Sequence, residues 1–284
     1  MRFIAFLCWL LALGAQPAWA ASSPQLQSLE RQLAWLSAGK SSDVGIAALD
    51  LKTGELVSVR GDEPFPMAST VKIAVAANYL AQVENGRRSL DDTISGRSAR
   101  RLMEAMIIHS DNHATDLLLR DLGGPKTVQA WLDQQKITGL RIDRNIDQLL
   151  RSKRDLRDVR DSSTPRAMVD LLSRIDSGKL LRPSSQSYLL GLMGRCMTGK
   201  NRIRGLLPVG TRVENKTGTL NGLTTDVGFI TLPDGRRVAV ALFARYGADR
   251  PRTIAEAARA IYDGFGSWLR APFTPAYTPA FGTR

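Results

Sequence analysis

The sequence has few of the residues on which metal, redox and disulfide chemistry depend. Its 284 residues include two cysteines and two histidines. Cys8 lies within the first twenty residues, so removal of that segment would leave Cys196 alone and unable to form an internal disulfide. His109 and His113 have the four-residue spacing of two ligands on a helix, but no Glu or Cys cluster completes a metal site. We therefore expect no metal and no cofactor.

The chain also lacks long apolar runs, except at its start. The segment MRFIAFLCWLLALGAQPAWA has one basic residue, an apolar core and an Ala-Trp-Ala ending. This pattern is typical of a secretory signal peptide, here cleaved after Ala20, and it is too short to span a membrane. We expect a secreted protein, periplasmic or extracellular, with no membrane span.

Acidic residues are fewer than basic ones. Lys and Arg number 39 and Asp and Glu 27, a formal net charge of +12, or +11 once Arg2 leaves with the signal peptide. The basic residues are scattered, and in the cluster SKRDLRDVRD they alternate with aspartates, which is typical of a solvated, salt-bridged face. This pattern argues against nucleic acid as a partner and favours attraction to the anionic cell envelope.

A serine and a lysine stand three residues apart at the start of an apolar helical stretch. Ser69 and Lys72 precede the run IAVAANYLAQV, which is apolar nearly all round and therefore predicts a buried helix. One helical turn brings the two side chains onto the same face, where the amine can reach the hydroxyl. A buried lysine can be neutral and accept the serine proton, which makes Ser69 a candidate nucleophile.

Two further tripeptides strengthen this interpretation. Residues 110–112 (Ser-Asp-Asn) lie at a predicted helix boundary, and residues 216–218 (Lys-Thr-Gly) end a strand-like segment. Each is rare by chance, and all three motifs in this order are expected in about one such chain in a thousand or fewer. Residues 52–54 repeat Lys-Thr-Gly between two alternating runs, where the pattern predicts a hairpin turn rather than a catalytic motif.

With these motifs the sequence resembles the class A serine β-lactamases and the penicillin-recognising peptidases related to them. The segments FPMASTVK, SDNHATDLLL, RDSSTPRAM and NKTGTLNGLTTDV resemble the active-site blocks of that family. The resemblance covers most of residues 25 to 270. It implies a serine hydrolase that forms an acyl-enzyme with D-alanyl peptides or β-lactams.

The resemblance also implies a catalytic role for each matching residue. Ser69 would be the acylated nucleophile and Lys72 its proton acceptor. Ser110 would relay the proton to the leaving nitrogen, and Lys216 would keep Lys72 deprotonatable through its positive charge. The backbone N–H groups of Ser69 and Thr219 would form the oxyanion hole.

The remaining matches concern substrate binding. Asn112 would hold the side-chain amide of the substrate, and Thr217 would hydrogen-bond its carboxylate. Arg202 matches an arginine that some family members place behind that threonine as a carboxylate anchor. Alternatively, Arg202 is an ordinary surface arginine, with no role in binding, in a chain that is rich in arginine.

The chain departs from the family pattern in the loop formed by residues 141–161. In class A enzymes this loop carries a catalytic glutamate two residues after an arginine, and an asparagine four residues later. Counted from Arg144, Ile146 falls at the glutamate and Leu150 at the asparagine. The loop is about two residues longer than the common pattern, so a different winding could bring Asp147 into the base position.

Two ion pairs are expected to close loop 141–161. They join Arg144 to Asp161 and Asp143 to Arg160. The loop is thus expected to keep its closure without its glutamate, which removes a general base from deacylation and slows it by about 10²- to 10⁴-fold.

Three functions remain open at this point. We favour a serine hydrolase or transpeptidase acting on D-alanyl peptides, with slow release of bound penicillins. The alternatives are a true class A β-lactamase and a non-catalytic wall-binding or penicillin-sensing protein.

The order of elements predicts an α+β fold. Strand-like segments stand at both ends of the chain and helical ones between them, which favours an antiparallel sheet flanked by the terminal helices with an inserted all-helical subdomain. The expected division is a signal peptide (1–20), an α/β subdomain (21–64 and 200–270), a helical subdomain (65–199) and a disordered Pro-rich tail (271–284).

Overall fold

The computed structural model describes residues 23–38, 42–153 and 155–266. The strands in this part are β1 (Asp43–Asp50), β2 (Leu56–Val59), β3 (Phe65–Pro66), β4 (Thr93–Ile94), β5 (Arg97–Ser98), β6 (Ser162–Ser163), β7 (Val213–Leu220), β8 (Leu223–Thr231) and β9 (Arg237–Arg245). The α-helices are α1 (Pro24–Ala38), α2 (Lys72–Glu84), α3 (Ala99–Ile108), α4 (Asn112–Asp121), α5 (Pro125–Gln134), α6 (Ile146–Arg151), α7 (Pro165–Asp176), α8 (Pro183–Gly194) and α9 (Arg250–Gly266). The predicted signal peptide and tail lie outside the described residues.

A five-stranded antiparallel sheet forms the centre of the fold. Its strand order is β2-β1-β9-β8-β7, so the first strand of the chain pairs with the last one. Both β1 and β9 are buried along almost their whole length, as their nearly continuous apolar sequences require. The predicted α+β class, with an antiparallel sheet and helices inserted between its strands, is confirmed.

Side chains of the sheet alternate between two hydrophobic cores. On β1, Val44 and Ile46 pack in one cluster with residues of α1 and α9, whereas Ala47 and Leu49 belong to a second cluster with α2, α3 and α7. This period of two places the terminal helices on one face of the sheet and the inserted helices on the other. The boundaries expected near residues 64 and 200 stay a prediction.

The inserted helices are positioned by local capping. The Asp111 side chain accepts a hydrogen bond from the backbone N–H of Ala114 at 2.7 Å, which starts α4 at Asn112. Thr164 caps α7 in the same way, with Pro165 at its first position. α2 is buried over its first nine residues, as its apolar sequence predicts. Among the described residues, no helix is both long and apolar enough to cross a membrane.

Candidate active site

Ser69 lies in a short 3-10 helix, Ala68–Val71, that leads directly into α2. Met67, the residue just before this 3-10 helix, donates its backbone N–H to the carbonyl of Asp161 at 2.9 Å. The carbonyl of Met67 accepts a hydrogen bond from the hydroxyl of Thr225 at 3.4 Å. Ala68 adopts a φ of +50°, a conformation that costs a non-glycine residue energy and is common at functional sites. The turn that carries Ser69 is therefore fixed both by loop 141–161 and by the sheet.

Strand β7 lies against this turn. A Cβ built on Gly218 would stand 2.7 Å from the carbonyl oxygen of Met67 and 3.0 Å from Cβ of Ala68, so only glycine fits there. β7 is also the edge strand of the sheet. Backbone groups on the free side of an edge strand have no strand partner and can bind an extended ligand.

Lys72 is fully buried at the first position of α2, and its amine contacts the Ser-Asp-Asn motif at residues 110–112. Nζ donates to the carbonyl oxygen of Ser110 at 2.7 Å, to the hydroxyl of Ser110 at 3.2 Å and to Oδ1 of Asn112 at 2.7 Å. Ser110 has a φ of +59°, in the left-handed region, and both its carbonyl and its hydroxyl accept from the amine. The backbone N–H of Lys72 donates to the carbonyl of Ser69, but within the described residues no hydrogen bond joins the amine of Lys72 to the hydroxyl of Ser69. Catalytic hydrogen bonds commonly tighten only in the substrate complex.

The two motif lysines are buried together. Two effects lower the pKa of Lys72 from 10.5 to about 7: burial is the larger, and the positive charge of Lys216 is the smaller. Burial also lowers the pKa of Lys216 to about 8, and its Nζ donates to the carbonyl of Thr217 at 2.8 Å. A pKa near 7 makes a large share of the Lys72 amine neutral at neutral pH, as a proton acceptor must be.

The rate of acylation at Ser69 should therefore depend on pH. With Lys72 as the expected proton acceptor, only its neutral amine can take the serine proton, so we expect the rate of ester formation to fall about tenfold for each pH unit below 7. Single-turnover acylation by a penicillin between pH 5 and 9 measures this. A flat profile over that range would count against Lys72 as the base.

Three threonines and an arginine form the side of the site next to β7. The guanidinium of Arg202 donates to the hydroxyl of Thr219 at 2.7 Å and to the backbone carbonyl of Gly218 at 2.9 Å. The hydroxyl of Thr217 lies 2.5 Å from that of Thr198. The side-chain hydrogen-bond partner of Arg202 is thus Thr219 and that of Thr217 is Thr198, and the role of Arg202 as a carboxylate anchor stays a prediction.

Sequence reasoning did not single out a buried polar group beneath this edge. Asp226 on β8 is fully buried, and its carboxylate accepts Nδ2 of Asn215 at 2.8 Å and the backbone N–H of Ile203 at 3.1 Å. Burial raises its pKa to about 7. Asp226 is the one carboxylate in the largely apolar strand β8. A single carboxylate in such a strand is the sequence signal that could have identified Asp226 as a buried polar group.

Cys196 is a free, buried thiol at the same edge. Its sulfur lies 3.4 Å from the hydroxyl of Thr198.

Loop 141–161 is closed by one of the two predicted ion pairs. Nε of Arg144 contacts a carboxylate oxygen of Asp161 at 2.5 Å, as expected, and both side chains are largely buried. The second prediction was wrong, because Asp143 pairs with Arg141 at 2.9 Å and Arg160 pairs with Asp158 at 2.8 Å. Both new pairs are two residues apart in sequence, and such local partners are reached at a lower entropic cost than partners across the loop.

The side chains of α6 offer no carboxylate at the position of the family's glutamate. Ile146 is buried in the larger core, and Leu150 is about half exposed. Asp147 is exposed and forms an ion pair with Arg151 at 3.0 Å, and its use as an alternative base stays a prediction. The α6 N-terminus is instead held by Asp116 of α4, whose two carboxylate oxygens accept the backbone N–H groups of Ile146 at 2.8 Å and Asp147 at 2.9 Å.

The buried pair in loop 141–161 should stabilise the protein more than the exposed one. In Arg144→Gln the Asp161 carboxylate loses its cation, and we expect the free energy of unfolding to fall by about 3 kcal/mol. Arg160→Gln is the matched control, because Arg160 is half exposed and its partner Asp158 keeps an ion pair with Arg144 at 3.4 Å. The stability of this variant should stay close to that of the wild type. Urea unfolding of both variants measures the difference, and equal losses would contradict the assignment.

The second Lys-Thr-Gly copy is structural. Residues 52–54 form the turn between β1 and β2, with Gly54 at a φ of +76° and the backbone N–H of Lys52 bonded to Asp50 at 2.8 Å. The predicted hairpin turn is confirmed.

Comparison with known proteins gives a consistent result. A family model described as "Beta-lactamase enzyme family" matches residues 28–265. The extended-spectrum β-lactamase PER-1 of Pseudomonas aeruginosa is 29% identical over 274 residues, covering 85% of this chain and 88% of PER-1. The carbapenem-hydrolyzing β-lactamase KPC of Klebsiella oxytoca is 31% identical over 250 residues, with 78% and 84% covered.

A comparison with solved structures also finds β-lactamases. An ancestral (GNCA) class A β-lactamase superposes with a TM-score of 0.79 at 34% identity and covers 84% of this chain and 100% of its own. A β-lactamase from Chitinophaga pinensis gives a TM-score of 0.79 at 27% identity, with 84% and 99% covered.

Proposed function

The chain belongs to the β-lactamase enzyme family, and on that premise we propose that it is a serine hydrolase that opens β-lactam rings through an ester on Ser69. The observation that carries this proposal is the buried amine of Lys72, which donates to the hydroxyl of Ser110 at 3.2 Å and whose pKa is lowered to about 7 by burial and by the charge of Lys216. β-Lactams are favoured as substrates over D-alanyl peptides because the similar proteins are named for β-lactam hydrolysis.

The site supports a complete acylation step. The hydroxyl oxygen of Ser69 attacks the ring carbonyl, and its proton passes to the neutral amine of Lys72. The carbon–nitrogen bond of the ring breaks, and the ring nitrogen takes a proton through the hydroxyl of Ser110, which is hydrogen-bonded to Lys72. The oxyanion would be held by the backbone N–H groups of Ser69 and Thr219, each typically worth about 3 to 4 kcal/mol.

Substrate binding is proposed for the β7 side of the site. Thr217 and Thr219 offer hydroxyls on the edge strand, and Arg202 adds a positive charge through its contact with Thr219. A substrate carboxylate would bind there. Because Oδ1 of Asn112 already accepts from Lys72, its amide N–H₂ is left to donate to the side-chain carbonyl of the substrate.

Slow deacylation is the second part of the proposal. When a β-lactam ring opens, the leaving nitrogen stays tethered and blocks its own face, so water must approach from the opposite side. On that side Ile146 stands where the family has its glutamate, and Asp147 is paired with Arg151 at the surface. The neutral amine of Lys72 is then the base that remains for the hydrolytic water, and the loss of a dedicated base slows this step by about 10²- to 10⁴-fold.

The isoleucine at residue 146 also favours a second candidate function, hydrolysis of D-alanyl peptides. When a peptide bond is cut, the amine diffuses away and opens its face to water or to another amine. Deacylation after peptide cleavage therefore does not need a carboxylate at residue 146. In this chain residue 146 is a buried isoleucine.

One experiment separates the two candidates. The purified protein is given nitrocefin or a peptide ending in D-Ala-D-Ala, and product formation is followed over time. We expect a burst of nitrocefin opening equal to the enzyme concentration, then slow turnover, with no burst in Ser69→Ala. Faster cleavage of the peptide than of nitrocefin would favour the peptidase, and no product from either substrate would contradict both.

We also propose that the protein is exported. The first twenty residues have the form of a signal peptide, and the strongly basic chain suits an anionic cell envelope. The mature protein should then begin at Ala21. Sequencing the N-terminus of protein recovered outside the cytoplasm tests this, and a retained Met1 would contradict it.

A further inference from the structure

A cavity of about 460 Å³ lies between α4, the start of α5 and loop 141–161. Its wall includes Asp116, Leu117 and Arg120 of α4, Pro125 of α5 and Asn145 of the loop. This volume is within the range of small-molecule sites in proteins, about 300 to 1,000 Å³. We call it the α4–α5 cavity.

The α4–α5 cavity is separate from the cleft that holds Ser69. His113, Asp116 and Arg120 follow one another at helical spacing and therefore share a face of α4. Asn112, on the neighbouring face, contacts Lys72 instead. None of the residues proposed above for catalysis or substrate binding lines the cavity.

The wall carries one carboxylate and one guanidinium, and the two differ in how far their bonding is satisfied. The carboxylate of Asp116 is already bonded to two backbone N–H groups of α6. Arg120 forms no ion pair with any described residue, and its one side-chain hydrogen bond goes to the neutral hydroxyl of Ser95 at 3.2 Å. The nearby start of α5 has Gly124 as its cap, with no capping side chain. The guanidinium of Arg120 is thus the charged group left to bind a ligand.

The remaining wall is apolar. Leu117 and Pro125 line the cavity together with the backbone of Gly123 and Gly124. A ligand that fills this space needs an apolar body as well as one negative group. We propose that the α4–α5 cavity binds a small amphipathic monocarboxylate, with its carboxylate at Arg120 and its apolar part against Leu117 and Pro125.

Binding there should also affect the ester on Ser69. Asp116 lines the cavity and at the same time holds the first turn of α6, where Ile146 stands. A carboxylate placed beside Asp116 repels its charge and weakens that hold, so the lifetime of the ester should change by at least twofold. This second part rests on the proposed function, whereas the binding itself does not.

The binding test uses 4-phenylbutyrate as the probe in isothermal titration calorimetry. Its neutral counterpart, 4-phenylbutyramide, should bind at least fivefold more weakly, and so should 4-phenylbutyrate to Arg120→Gln. Arg101→Gln is the matched control, because Arg101 is an exposed arginine on α3 that does not line the cavity. Its affinity for the probe should equal that of the wild type.

The possible results are distinct. No saturable binding, equal binding of acid and amide, or equal binding to both arginine variants would overturn the site. Binding that follows Arg120 but leaves the ester lifetime unchanged in wild-type protein would overturn the coupling to α6. Since calorimetry needs no acylation, absence of any ester would count against the proposed function and not against the site.

Discussion

Replacing Ile146 by glutamate is expected to shorten the lifetime of the Ser69 ester by about 10²-fold or more. Ile146 lies two residues after Arg144, where the related enzymes carry the glutamate that activates the hydrolytic water. Its backbone is already held by Asp116, so the first turn of α6 should keep its place in the variant. A carboxylate at this position would restore the missing general base. Loss of adduct mass with time, after acylation by a penicillin, measures the effect.

The control for this variant is Ile146→Gln. Glutamine has the same shape as glutamate but cannot accept the proton of the water, so it should leave the ester long-lived. Because Ile146 is buried, both variants lose apolar packing, and thermal unfolding of each must show that they are folded to the same extent. If both shorten the lifetime equally, loosening of the loop and not a base explains the change.

Replacing Lys72 by methionine is expected to slow acylation by about 10²- to 10⁴-fold. Methionine keeps much of the length of the side chain but has no amine to accept the proton of Ser69. The three hydrogen bonds of Nζ to Ser110 and Asn112 are lost as well, so the variant should also show no pH dependence near 7. Stopped-flow measurement of nitrocefin opening compares the variant with the wild type.

The chain itself provides a control for this change. Lys52, in the second Lys-Thr-Gly copy, lies at an exposed turn, and Lys52→Met removes the same charge far from any catalytic role. Its acylation rate and pH profile should match the wild type. A Lys72→Met variant that acylates at the wild-type rate would show that another group takes the proton.

The sequence predicts the fold well wherever one pattern dominates. The apolar run after Lys72 is incompatible with a surface helix. The strand-like segments at both ends of the chain can bury their apolar residues by pairing with each other, so both helix α2 and the sheet are predictable from the sequence. The second Lys-Thr-Gly copy was recognised as a turn because Gly54 stands between two alternating runs.

Contacts between distant polar side chains were less predictable. Asp116 bonds to backbone N–H groups of α6, which carry no side-chain signature in the sequence. The partner of Thr217, Thr198, lies in a segment with no motif of its own. Such contacts are set by tertiary packing rather than by local pattern.

The most direct test of the account is a rapid-quench experiment on the wild-type protein with benzylpenicillin, read by intact mass and then by peptide mapping. The account predicts an added mass equal to one penicillin, located on Ser69, which forms faster than it disappears and is absent in Ser69→Ala. An adduct on another residue, or penicillin hydrolysis that continues in Ser69→Ala, would contradict it.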